Sequence, residues 1–349
     1  MAARVYHPKF DGLRALAIVA VMYEHFVKTD TVGGLGTGLF FCLSGFLITD
    51  IILDYRERMT LKPAAVQFYW HRFLRLAPPF YLAIAVCLAL GVGGSHRTLL
   101  ANAFYVANIN MFATSDFNES GHFWTLSVEE QFYLLWFPVA MLAPVRRIPA
   151  ILIALIIASL LSRLHFCLYR VPNEWMLPIN SADLLCSGAL LATALRSGGP
   201  LQRRLAAALD FRFALPASSV VAAHYAHLMD WAGISGKMVA FSATCLCMAS
   251  LIRHSLSGVA CRPLDWLAMP SLRHVGKISY GLYVYHYFVP QICEKFIPDV
   301  HTYLSRGFYL IWITALSFIA AELSWRFLEQ PVLRLKRIQL SRATSLQAG

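Results

Sequence analysis

Apolar blocks of roughly membrane-spanning length recur along this chain, and that recurrence limits the fold more than any motif does. A hydrocarbon layer of ~30 Å needs about 20 predominantly apolar residues per helix. Windows near that length fall at about 11–28, 36–54, 77–93, 126–143, 148–166, 182–195, 213–229, 233–252, 277–293 and 308–328. The pattern predicts an all-α polytopic membrane protein, a bundle of about ten transmembrane helices. Composition agrees: the 349 residues are 58% hydrophobic and only 14% charged, where soluble proteins carry about 25% charge. An ordinary soluble protein is excluded. The stretch 98–113 is apolar but short and holds Asn102, Asn108 and Asn110, which fits a re-entrant or interfacial segment.

A formal charge of +11 would suit a nucleic-acid binder, yet the basic residues lie between the apolar blocks and form no contiguous tract. They read as topology signals. Twenty-one of the 30 Lys and Arg fall in one alternating set of connections, from Arg4 and Lys9 to Arg334, Lys336, Arg337 and Arg342. Seven fall in the other set, which includes Lys28, Arg97 and Arg163, and Arg14 and Arg326 lie within windows. The excess of positive charge marks the cytoplasmic side, so both termini are expected there. The first window carries Asp11 and Arg14 and lacks a small-residue cleavage site, so it is expected to remain as a helix. Residues 1–349 are expected to form a single membrane domain with a short cytoplasmic tail from about 332 and no fused soluble domain. The eight cysteines lie mostly in apolar runs without CxxC or metal spacing and read as packing residues. Asn118-Glu119-Ser120 is a glycosylation triplet too common to carry weight.

Ionisable side chains inside spans are expensive and tend to face an interior cavity. Arg14 and His25 are eleven residues apart, so they share nearly one helical face and stand roughly 16 Å apart along the axis. An arginine fork grips phosphate and a histidine takes a proton near neutral pH, so the face offers an anchor and a base. A snorkelling arginine and a histidine bonded to another helix would be the structural alternative. Arg72 and Arg75, three apart before the third window, share a face that suits a phosphorylated ligand or an anionic lipid surface. Glu129 and Glu130 open the fourth window and point about 100° apart, so at most one readily faces a given cavity. Either could approach His25, or lie in water. Tyr280, Tyr283 and His286 could line a polar groove or pack as aromatics. Glu322 falls within the last window, and Glu329-Gln330-Pro331 closes it. Gly34, Gly36 and Gly38 lack the strand context of a phosphate loop and read as sites of close helix packing.

Taken in order, these blocks are Phe10-Asp11-Gly12-Leu13-Arg14 with His25; Phe40-Phe41 leading to Ser44-Gly45-Phe46-Leu47; Arg72 and Arg75; His122 to Tyr133; Gly276 to His286; and Glu329-Gln330-Pro331. The ordered set, spanning nearly the whole chain, resembles the acyltransferase-3 family, integral-membrane O-acyltransferases of bacterial surface polysaccharides. The chain differs from that family's common pattern at Gly38, Thr125 and Gln330. Many members carry an additional C-terminal extracytoplasmic domain, which is not expected after Pro331.

The resemblance implies transfer of an acyl group, most often acetyl from acetyl-CoA, to a hydroxyl of a saccharide or glycoconjugate, in the bacterial cytoplasmic (inner) membrane and without a metal. Arg14, Arg72 and Arg75 would hold the CoA phosphates. His25 would act as general base or carry the acyl group, with Glu130 or Glu129 orienting it. Tyr280, Tyr283 or Ser279 would donate to the developing oxyanion. His122, Trp124 and His286 are candidate contacts to the acceptor. The same intramembrane charges would also serve a transporter or flippase of an anionic small molecule or lipid-linked sugar, which an inverted repeat would favour; none is evident.

Overall fold

The structure, a computed structural model, describes residues 6–27, 32–115, 117, 119–197, 199–225, 227, 233–256 and 262–335. Arg4, Lys28, Asn118, Cys261, Lys336, Arg337, Arg342 and most of the expected tail lie outside the described residues. Helices run α1 (Pro8–Val27), α2 (Gly33–Arg58), α3 (Leu61–Leu90), α4 (His96–Ala103), α5 (Ala107–Thr114), α6 (Trp124–Leu142), α7 (Ile148–Leu168) and α8 (Pro178–Ser197). They continue as α9 (Gly199–Ala208), α10 (Phe211–Tyr225), α11 (Gly233–His254), α12 (Pro270–Tyr285), α13 (Val289–Phe296), α14 (Val300–Tyr303) and α15 (Arg306–Ser324), which extends through a π turn at Trp325–Glu329. No strand occurs among the described residues.

Among the described residues six helices are long and apolar enough to cross a bilayer: α2, α3, α7, α8, α11 and α15. This is a multi-pass membrane protein. Helices also stand at the remaining expected windows, each less apolar or shorter. Charged Asp11, Arg14 and Glu24 lie in α1, adjacent glutamates lie in α6, and α10 and α12 have only 15 and 16 residues. The Asn-rich stretch forms the two short helices α4 and α5, and the window 277–293 breaks after Tyr285 into α12 and α13.

One boundary differs from expectation with consequences for the site. The window at 77–93 is the second half of a 30-residue helix that begins at Leu61 and continues through Pro78 and Pro79. Proline normally ends a soluble helix by removing a donor, but inside a membrane bundle neighbouring side chains satisfy the weakened turn. Here α12 packs two hydroxyls against the same stretch: the Tyr280 hydroxyl donates to the Leu76 carbonyl at 2.8 Å and Tyr285 reaches the Pro79 carbonyl at 3.4 Å. Arg72 and Arg75 are thereby carried into the bundle, half-buried, on a helix that would otherwise present them outside it.

Glycines set the closest crossings. A Cβ on Gly276 of α12 would stand 1.9 Å from the Asp11 carbonyl oxygen of α1. On α2 and α8 the arrangement is reciprocal, Gly45 against the Leu185 carbonyl and Gly188 against the Cys42 carbonyl, each at 1.9 Å. Gly36 likewise admits the Ala17 carbonyl at 2.5 Å, which is the close packing expected of the glycine-rich start of α2. Three large apolar clusters result among the described residues. One joins α1, α3, α12 and α15 around Ile18, Phe80, Phe123 and Leu282; another joins α2, α3, α6, α7 and α8 around Ile52, Phe68, Trp136 and Leu152. The third joins α1, α2, α8 and α11 around Leu13, Cys42 and Ile252. Away from them, Arg163 and Asp183 form a buried ion pair at 3.2 Å between α7 and α8. Every described cysteine is unbridged.

Because overpacking costs about 1–3 kcal/mol, Gly276→Ala is expected to lower the thermal unfolding midpoint of the detergent-purified protein. Gly307→Ala, whose Cβ meets nothing within 4 Å, is expected to leave it unchanged or raise it by up to ~1 kcal/mol of helix propensity. Equal effects of the two substitutions would refute the close-crossing account.

Candidate active site

Two cavities meet inside the bundle. The larger, about 750 Å³, is lined by Tyr6, Asp11, Arg14, Arg75, His274, Lys277, Glu322, Arg326 and Gln330 at the end where α1 begins. The second, about 490 Å³, runs between α1, α2, α3, α6 and α12 and is lined by residues that include Arg14, Ser44, Arg72, Arg75, Glu129, Tyr133, Ser279, Tyr280 and Tyr283. Arg14 and Arg75 line both. These two arginines mark the border that the cavities share, the throat of the site.

Arg14 and Arg72 are aimed by their surroundings. Asp11, one turn before Arg14 on α1, accepts from Arg14 Nη1 at 2.9 Å, and its other oxygen accepts from Tyr6. The Arg72 guanidinium lies over the Tyr133 ring at 4.6 Å, a cation–π contact, and its buried Nε has no hydrogen-bond partner. Three guanidinium groups thus face a space whose carboxylates are Glu129 and Asp54, the latter paired with Arg58 at 2.8 Å. A buried donor without an acceptor is costly, and an anion in this space would supply the acceptor. At the larger cavity Glu322 is already engaged, by Arg326 at 2.5 Å and His274 at 2.9 Å.

The two adjacent glutamates separate as their 100° offset requires. Glu129 faces the cavity, where its Oε2 accepts from the Tyr133 hydroxyl at 3.0 Å. Since the single Tyr133 hydrogen goes to Glu129, Ser44 Oγ donates to the Tyr133 oxygen. Glu130 does not line the cavity, and its buried Oε1 has no hydrogen-bond partner. Ser44 and Tyr133 were not singled out from sequence. Tyr133 stands four residues after Glu129, on the same helical face, and that spacing was the available signal; Ser44 meets Tyr133 only through tertiary packing.

Of the three aromatic and histidine positions on α12 and its cap, Tyr280 and Tyr283 line the cavity and His286 does not. The Tyr283 hydroxyl donates to the His122 carbonyl at 2.5 Å and also meets Thr125. Ser279 lines the cavity with its hydroxyl bonded to the Gly276 carbonyl at 2.9 Å. Behind this layer lies a histidine cluster. His25 and His286 stand nearly coplanar, 6° between rings, with His25 Nδ1 2.7 Å from His286 Nε2. His122, 1% exposed, packs against His286 and Tyr287. His25 therefore does not share the lining of the cavity that holds Arg72 and Arg75; Tyr283 and Phe40 close that cavity on its side. Its far end still comes near: Thr37 lines it, one turn along α2 from Gly33, whose N–H donates to Glu24, the neighbour of His25, at 2.6 Å. Trp124 packs against Phe41 and Trp175, away from the lining. Among the described residues no group of three or more His, Cys, Asp or Glu could hold a metal ion.

Within a helical membrane bundle, three arginines, a carboxylate and a tyrosine thus line one cavity, and a histidine cluster lies behind its wall. Residues 7–322 match the family model described as an acyltransferase domain, and the chain belongs to the acyltransferase-3 family. Among similar proteins, the peptidoglycan O-acetyltransferase OatA of Listeria monocytogenes serovar 1/2a is 29% identical over 95% of this chain, and the O-acetyltransferase OatA of Staphylococcus aureus strain NCTC 8325 is 29% identical over 94%. The chain spans 56% and 57% of those proteins' own length. No solved structure matches the chain.

Glu129→Gln is expected to reduce the acyl-transfer rate by about 10²-fold or more, the scale of a lost proton-transfer or orienting group. Glu130→Gln, off the cavity, is expected to stay within a few fold of wild type. Kinetics of the two purified variants against wild type check this, and the opposite ranking would exchange their roles.

Proposed function

We propose that the protein transfers an acyl group, acetyl in the simplest case, from acyl-CoA to a hydroxyl of a saccharide or glycoconjugate acceptor. The observation that carries this reading is the placement of Arg14 and Arg75 at the border of two adjoining cavities, with the unpartnered Nε of Arg72 beside it. A donor with a charged nucleotide head and a long neutral arm fits such a sequence of spaces. The family and the O-acetyltransferase names of its relatives support the reaction class.

On this reading the chain sits in a bacterial cytoplasmic membrane with the α1 start and the larger cavity toward the cytoplasm. Arg14, Arg72 and Arg75 grip the donor phosphates by charge-assisted bonds. The arm extends along the inner cavity past Ser279 and Tyr280 toward Tyr283. Entry of the thioester displaces the Tyr283–Phe40 layer, so that its carbonyl carbon reaches His25. An imidazole nitrogen of His25 takes the proton of the acceptor hydroxyl as that oxygen bonds to the carbonyl carbon. The carbon–sulfur bond then breaks, and the departing thiolate takes the proton from His25. As negative charge develops on the carbonyl oxygen, the Tyr283 or Ser279 hydroxyl turns its hydrogen to it from the His122 or Gly276 carbonyl that now accepts it. Glu129 acts through Tyr133 and Arg72 to hold the cationic wall in place.

Removing one phosphate grip costs ground-state binding. Arg72→Ala and Arg75→Ala are therefore expected to raise KM for acetyl-CoA by roughly 10- to 100-fold, the equivalent of a lost charged hydrogen bond of about 1.5–3 kcal/mol, with a smaller change in acceptor KM. His25→Ala is expected to abolish transfer while the protein still unfolds cooperatively. Steady-state kinetics of reconstituted protein, with product followed by mass spectrometry, test both. Wild-type turnover by His25→Ala would remove the base, and arginine variants that raise only acceptor KM would move those side chains to the other substrate.

A further inference from the structure

The hydrogen bonds of the histidine cluster fix more than its packing. His286 caps the C-terminus of α12, fully buried. Its Nδ1 lies 3.0 Å from the Leu282 carbonyl oxygen and 2.9 Å from that of Tyr283. Carbonyl oxygens only accept, so Nδ1 carries the hydrogen, and in neutral His286 the lone pair resides on Nε2. That lone pair is 2.7 Å from His25 Nδ1. His25 must therefore donate from Nδ1, and because a neutral imidazole has one N–H, its Nε2 is left with a lone pair. The brace is stiff: Tyr283, Phe26, Tyr287 and His122 surround the His286 ring at centroid distances of 5.4–6.0 Å. The Tyr287 ring edge at 4.9 Å steadies His25 itself.

We propose that His286 is a positioning residue that locks His25 in the Nδ1–H tautomer, so that Nε2 is the atom that receives the acceptor hydroxyl's proton. This rests on the reading of His25 as the base. Once His25 gains that proton, Nδ1–H remains donated to His286 Nε2, and the imidazolium is stabilised by a neutral acceptor that two backbone carbonyls hold in place. The role is the one an orienting partner plays for a catalytic histidine, supplied by a second imidazole instead of a carboxylate. No group is consumed: His286 keeps its proton throughout.

The test compares His286→Phe, which keeps a buried ring without nitrogen, with His286→Gln, whose side-chain carbonyl can stand where Nε2 accepts. His25→Ala is assayed in parallel. His286→Phe is expected to lower kcat by about 10²-fold or more with KM for acetyl-CoA unchanged, as for loss of a proton-transfer geometry. His286→Gln is expected to recover at least about tenfold of that loss, a partial restoration of the orienting bond. Wild-type kcat in His286→Phe, or a Gln variant no better than Phe, overturns the positioning role while leaving His25 as base if His25→Ala is inactive. An active His25→Ala sinks the underlying reading instead. Nitrogen-15 magnetic resonance of His25 in the unaltered protein gives an answer that needs no variant to fold. An unprotonated Nε2 and protonated Nδ1 are expected, and the reverse assignment overturns the proposal.

Discussion

Charge inside an apolar bundle must be paired or given a polar space, and the rest of this structure follows from how that demand is met. Arg14 is answered by Asp11, a turn away and itself held by Tyr6. Arg72 is answered by an aromatic face and left with one donor open. Neither solution would survive in hydrocarbon, so the helices around them enclose two adjoining cavities instead of a dry seam. The three cations sit on α1 and α3, and the walls opposite them are α2, α6 and α12.

Those walls are close because small residues allow it. The contact of Gly276 with the Asp11 carbonyl brings α12 against α1 at the level of the throat, which is why Ser279, Tyr280 and Tyr283 reach the cavity that Arg14 borders. Gly45 and Gly188 do the same for α2 and α8 and hold Ser44 toward Tyr133. Van der Waals packing between backbones, more than hydrophobic exclusion, supplies cohesion in a lipid setting. The inserted polar hydroxyls of Tyr280 and Tyr285 then steady the proline-bearing turn of α3.

Much of this was legible in the sequence, and the limits have physical causes. The shared face of Arg14 and His25, the divergence of Glu129 from Glu130 and the packing role of Gly36 are local consequences of helical geometry. The azimuth of α6, which turns Glu129 and not Glu130 inward, is a tertiary fact. So is the course of α3: local rules begin a helix near Pro78, while the bundle continues it back to Leu61 and places Arg72 and Arg75 along the inner cavity. Pairings at long range were out of reach altogether. Ser44 meets Tyr133 across 89 residues and His25 meets His286 across 261, and no periodicity encodes either. The placement of His25 behind Tyr283, not within the cavity lining, belongs to the same class.

One feature of α1 bears on what the protein accepts. Its guanidinium and imidazole are mounted on a single rigid rod, eleven residues apart, about 16 Å by helical rise. In the proposed mechanism that rod is a ruler. It gauges the stretch between the anionic head of a carrier and the carbon to be attacked, and it is indifferent to the bulk of what hangs beyond that carbon. Discrimination then falls on the length of the carrier arm, and carriers with shortened arms would bind at the throat yet stall short of the imidazole.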